Sequence, residues 1–100
     1  MRLPILDLIK GTTLGQFYKV EEEFKELFET RLMNEKYQLE ECLDLIQASM
    51  GLLLMLTQTQ AGLENAMLKH CLKLQRREAK GSFKIKSWLN ITIEEDMQNG

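Results

Sequence analysis

The sequence predicts an all-α protein: a helical hairpin plus a third helix, with a four-helix-bundle core completed by oligomerisation. Three observations predict this. There is one proline and only six glycines in 100 residues, so long stretches run without a breaker. Apolar residues recur at the 3.6-residue spacing of a helix, and strict alternation is nearly absent. The second helical stretch is apolar around most of its circumference, which is more surface than one hairpin and a third helix can cover. Contiguous apolar surface of that kind marks an interface, and pairing hairpins across a two-fold axis is the simplest way to bury it.

Residues 4 to 10 read as a short lead-in helix with Pro4 in its first turn, broken at Gly11-Thr12. Thr13 is then placed as an N-cap, with Gln16 three residues on completing a capping box. The first long helix follows over 14 to 33. Leu14, Phe17, Val20, Phe24, Leu27 and Phe28 form its apolar stripe, with Glu23 and Glu26 at one edge. Asn34-Glu35 makes a tight turn into a second helix over 35 to 56. Glu41, Asp44, Ala48 and Gly51 share the less apolar flank of that helix. Glycine inside a helix costs about 1 kcal/mol relative to alanine, so Gly51 predicts a close approach by another helix or a ligand. Thr57–Gly62 reads as a polar loop. A third helix over 62 to 78 turns Leu63, Met67 and Leu74 inward. Phe83-Lys84-Ile85-Lys86 alternates like a short strand, and Trp88, Leu89, Ile91 and Ile93 are apolar enough to pack on a neighbour. The domain reading is therefore a helical unit over 1–80 with a C-terminal extension over 81–100.

Charge is unevenly distributed. The overall balance is −2, but residues 1 to 60 carry 6 basic against 10 acidic side chains, and residues 61 to 86 carry 7 against 2. An acidic two-helix unit followed by a basic helix suits a site that holds a cation and then a polyanion. A nucleic-acid groove is disfavoured, because the chain is net acidic and its basic run lacks interleaved aromatics. Leu52–Leu56 and its surroundings are too short, and too interrupted by Gln47, Ser49 and Thr57, to span a bilayer. Met1-Arg2-Leu3-Pro4 lacks the apolar core and cleavage site of a secretory signal. Cys42 and Cys71 have no partners suggestive of a disulfide or a thiolate metal site, so free thiols in a cytoplasmic protein are expected.

The chemistry is carried by two acidic pairs, Glu23-x-x-Glu26 and Glu41-x-x-Asp44, with 14 residues between them. Residues three apart lie on one helix face, so each pair presents two carboxylates from adjacent turns. An antiparallel hairpin brings all four together. Like charges in a partly buried site repel and desolvate badly, so the cluster asks for a cation. All-oxygen ligands favour a hard divalent ion, Mg²⁺ or Mn²⁺. Downstream, His70, Lys73 and Arg77 share one face of the third helix, with Lys69 beside them. They read either as an exposed basic face balancing the acidic helices or as a cradle for phosphates.

Glu22-Glu23-Phe24-Lys25-Glu26-Leu27 followed by Glu40-Glu41-Cys42-Leu43-Asp44-Leu45 resembles the MazG-like all-α nucleoside triphosphate pyrophosphohydrolases, whose signature is E-x-x-E, a gap, then E-x-x-D. His70-Cys71-Leu72-Lys73-Leu74-Gln75-Arg76-Arg77 looks like the basic third helix of small phage-type members. The resemblance covers residues 13 to 80. It implies Mg²⁺-dependent hydrolysis of a nucleoside triphosphate to monophosphate and pyrophosphate, in a homodimer or homotetramer. Glu23, Glu26, Glu41 and Asp44 would hold the metal, and one of them, Glu23 by preference, would accept the water's proton. Lys73 and Arg77, with His70 nearby, would hold the outgoing pyrophosphate. Asn65 is the one candidate for a third-helix amide that contacts phosphate in some members. Phe17 either packs in the core or stacks on the base. Arg31, on the apolar stripe, marks either a frayed helix end or a reach to a phosphate on a neighbouring subunit. Base-recognition residues do not carry over, so the nucleotide stays open. A related branch hydrolyses phosphoribosyl-ATP. The rival from another class is a non-catalytic helical interaction protein on the same scaffold, which the intact acidic pairs disfavour.

Overall fold

The computed structural model describes Pro4 and residues 11–88. It holds three α-helices: α1 (Thr13–Glu29), α2 (Glu35–Thr57) and α3 (Gln60–Ala79), with a 3-10 turn at Thr30–Leu32 between the first two. Apart from Pro4, the expected lead-in helix lies outside the described residues, as do Leu89, Ile91 and Ile93. The chain divides into two compact units, Met1–Gln58 and Thr59–Gly100.

Helix ends follow local side-chain chemistry. Thr12, one residue earlier than expected, is the N-cap of α1, and its hydroxyl accepts from the Gly15 amide at 2.9 Å. Thr13 is therefore already helical, and Gln16 is released from the expected capping box. α1 stops at Glu29, short of the expected residue 33, because the chain tightens into a 3-10 turn whose Thr30 hydroxyl folds back onto the Leu27 carbonyl at 2.6 Å. Gln38 of α2 fastens that turn, its Nε2 lying 3.2, 3.2 and 3.1 Å from the carbonyls of Thr30, Arg31 and Met33. Arg31 donates to the Phe28 carbonyl at 2.9 Å and lies over the Phe28 ring at 4.1 Å. It thus caps α1, as an arginine near a helix C-terminus is placed to do. Asn34 caps α2 through the Tyr37 amide.

The expected loop over Thr57–Gly62 is shorter than its polar composition suggested. Gln58, with φ 65°, turns the chain, and Thr59 caps α3 by accepting from Gly62 at 2.9 Å. In the second unit Leu63 is fully buried and Met67 and Leu74 are partly so. Residues 83–88 form no strand. Among the described residues there is no second strand to complete a ladder, and the Ile85 amide donates instead to the Glu78 carboxylate. No helix among the described residues is long and apolar enough to cross a membrane.

The packing of α1 on α2 overturns one expectation. Most of the apolar stripe of α1 is left uncovered by its partner helix: Leu14 is exposed and Phe17, Phe24 and Phe28 are each about half exposed, while only Val20 and Leu27 are partly buried. The buried row is Gln16, Glu23 and Thr30, spaced seven residues apart, set against Ala48 of α2. Seven residues are close to two turns, so these three form one line along the seam.

Candidate metal centre

The polar seam is where the acidic pairs meet. Glu23 enters from α1 and is only 6% exposed. Glu41 and Asp44 enter from α2, one turn apart. One carboxylate oxygen each of Glu23, Glu41 and Asp44 falls within 4.8 Å of the other two. On α1 alone, Glu22, Glu23 and Glu26 bring one oxygen each equally close together. Glu23 belongs to both, so five carboxylates line one continuous acidic strip. All four carboxylates expected from the sequence are in it, and Glu22 is added.

Two of these oxygens are buried without a donor among the described residues: Glu23 Oε2 and Glu41 Oε2. A buried acceptor without a donor forfeits the hydration it had in the unfolded chain and gains nothing for it. Glu23 Oε1 is satisfied, by the Lys19 ammonium at 2.7 Å. That contact holds the Lys19 amine above its usual range, chiefly through its hydrogen bond to Glu23. Glu26 shows the repulsion directly. The charge on Glu23, then partial burial, then the charge on Glu41 push its carboxyl above the usual carboxylate range. Among the described residues Lys19, 2.7 Å from Glu23 and 3.8 Å from Glu22, is the one cation paired with any of the five acidic groups. The surplus of negative oxygen at a helix–helix seam has the donor chemistry of a hard-cation site.

Beside the seam lies a different surface. Phe24, Phe28, Arg31, Gln38, Leu39 and Cys42 line much of a groove of about 640 Å³ running along both helices towards the turn. Phe24 and Phe28 stack with ring centroids 6.3 Å apart. Leu39, Leu43 and Ile46 extend exposed apolar surface along α2.

Asn65, His70, Lys73 and Arg77 are all exposed on α3, in the second unit. Phe17 stands half exposed on α1, two residues before Lys19. Cys42 and Cys71 are free thiols. Sequence reasoning left out Lys19 and gave Gln16 the wrong partner. Lys19 could have been found from its spacing, since a lysine four residues before Glu23 reaches it along the helix. The seam contact of Gln16 had no such signal. Compared with protein-family models, curated proteins and solved structures, the chain matches none.

Proposed function

We propose that the chain is a divalent-metal-dependent nucleoside triphosphate pyrophosphohydrolase that works as a homo-oligomer. The observation that carries this reading is the pair of buried, donor-free oxygens on Glu23 and Glu41, drawn together with Asp44 from two helices. A merely solvated acidic face would keep its oxygens in water. The donor set fits Mg²⁺ or Mn²⁺, being all carboxylate, and Glu23, Glu26, Glu41 and Asp44 are the residues that would hold the ion. Bound there, the ion supplies neutralising charge for crowded phosphate oxygens and makes a water more acidic.

The protein's own part is positioning and proton transfer. Glu23, shared by the two groups, is buried, while Asp44 in one and Glu22 in the other are exposed, so each group joins a dry carboxylate to one that water reaches. One carboxylate of the set accepts the proton of the water that attacks the phosphate. Lys19 holds Glu23 in place through the 2.7 Å contact. Within the second unit, Lys73 and Arg77, with His70 and Asn65 on the same helix, are exposed and carry the charge and donors that a phosphate ligand needs. The groove along Phe24 and Phe28 is the face on which a second hairpin packs, completing a four-helix bundle.

The test is a pyrophosphate-release screen over canonical and modified nucleoside triphosphates and phosphoribosyl-ATP, with Mg²⁺ and with EDTA. Release of pyrophosphate from at least one of them, abolished by EDTA, is expected. No release from any of them at micromolar enzyme would turn the reading towards a helical interaction protein.

A further inference from the structure

We propose that Gln16 and Gly51 form a positioning device for the carboxylate site, setting the separation and register of the two helices on which its affinity for a cation depends. The inference rests on the metal-binding reading above. Gln16 is only 4% exposed, and its side-chain amide donates to the Ala48 carbonyl at 2.9 Å across 32 residues of sequence. Gly51 makes the room for it. A Cβ at that position would stand 3.0 Å from Gln16 Nε2 and 3.6 Å from its Cδ. The first distance is tighter than ordinary van der Waals contact, so an added Cβ requires the Gln16 amide, and with it the bond to Ala48, to shift by a few tenths of an ångström.

The placement gives this contact its consequence. Glu41, Asp44, Ala48 and Gly51 follow one another at intervals of three, four and three residues, which is one row along α2. Gln16 stands two turns before Glu23 in the buried row of α1. The amide therefore joins the helices in the layer next to the carboxylates, on the same seam. An apolar side chain of that length would fill the space equally well, but it would not fix the helices along their axes. A hydrogen bond with a set length and direction does. Small hard cations tolerate little error in their oxygen positions. A slide of one helix by a fraction of a turn carries Glu23 away from Glu41 and Asp44. Groups hydrogen-bonded to metal ligands commonly change metal affinity by roughly 10- to 100-fold, and Gln16 acts one step further out, through the helix that carries Glu41 and Asp44.

Gln16 touches neither ion nor substrate, so the readout is metal affinity in the folded protein. Calorimetric titration with Mn²⁺ is run on the full chain as wild type, Gln16→Met, Gly51→Ala and the double variant Gln16→Ala/Gly51→Ala. Gln16→Met keeps the volume and loses the donor; Gly51→Ala keeps the donor and displaces it. Both single variants are expected to keep wild-type helicity by circular dichroism and to bind Mn²⁺ more weakly by a factor approaching roughly tenfold, the lower end of what direct partners of ligands give. The double variant is expected to be no worse than the weaker single variant, because removing the amide also removes its clash with the new Cβ. If Gln16→Met does not fold, Gly51→Ala carries the comparison alone. Folded single variants that bind Mn²⁺ as the wild type does, with only a lowered melting point in EDTA, would reduce the contact to packing and overturn the proposal. Failure of the wild type itself to bind Mn²⁺ is a different result: it overturns the metal reading, and this inference with it.

Discussion

The seam of the hairpin and the groove beside it treat burial in opposite ways. In the seam, Glu23 is 6% exposed, while on the groove side Phe24 and Phe28 are 54% and 55% exposed. Hydrophobic burial favours the reverse: a fully buried phenylalanine is worth about 1.5–3 kcal/mol, and a buried carboxylate oxygen without a donor is a cost. The contrast teaches that the two faces lack different things. The seam lacks positive charge, of which Lys19 supplies one unit. The groove lacks apolar cover. Metal and pH should therefore act on the seam, and protein concentration on the groove.

Removing charge from the seam is the strongest way to break this contrast. Glu41→Gln and Asp44→Asn keep shape, so turnover should fall at least 100-fold, roughly 2.7 kcal/mol of transition-state stabilisation. Circular dichroism should stay that of the wild type, and the melting point in EDTA should hold or rise as repulsion is relieved. Next in size is a charge placed in the groove. Phe28→Asp should weaken self-association by roughly 30-fold or more, the scale of losing one buried aromatic anchor. Sedimentation velocity would register this as a shift towards the mass of one chain, 11.7 kDa, with Mn²⁺ affinity less affected than assembly.

Smaller effects sharpen the account. Lys19→Met removes the one cation touching Glu23. In EDTA it should cost about 1 kcal/mol, since the ammonium is nearly half exposed and screened by solvent. With saturating Mg²⁺ the loss should shrink, and denaturant melts in the two conditions compare them. The pH effect is the smallest. The carboxyl of Glu26 lies above the usual range in the folded protein, so the native state keeps that proton to higher pH than the unfolded chain does. Where the native state binds more protons, stability falls as pH rises. In EDTA the melting point should thus climb as pH is lowered from neutral into the upper carboxylate range, and Glu26→Gln should flatten that slope. The raised Lys19 amine adds nothing in that window. Its contribution is fully present at neutral pH and is lost only on the alkaline side, as pH passes through its folded value.

Much of this was legible in the sequence. Helical spacing and a near absence of breakers gave the three helices, and the two acidic pairs converge because a short turn makes their helices antiparallel. The choice of which face of α1 packs on α2 was not legible. A helical wheel marks Phe17, Phe24 and Phe28 as one stripe, but periodicity does not tell a face buried within a chain from one left exposed on it. Small residues opposite, Ala48 and Gly51, together with the Gln16 amide, decided in favour of the polar row. Helix boundaries moved because Thr12, Asn34 and Thr59 act as caps, and one side-chain hydrogen bond outweighs a residue or two of propensity. Exposure of the basic residues of α3 fits either sequence reading of them, since cations that balance acidic helices and cations that hold phosphates both face water.

The central claim is that the seam is a cation site, and thermal unfolding tests it most directly. The same protein is melted in EDTA and then across a Mg²⁺ or Mn²⁺ titration at constant ionic strength. An ion that binds only the native state adds about 2.7 kcal/mol at 100 times its dissociation constant, which for a chain of this size raises the melting point by roughly 10 °C or more. The account predicts that rise in the wild type and its loss in Glu41→Gln. A midpoint that stays the same across the titration would contradict it.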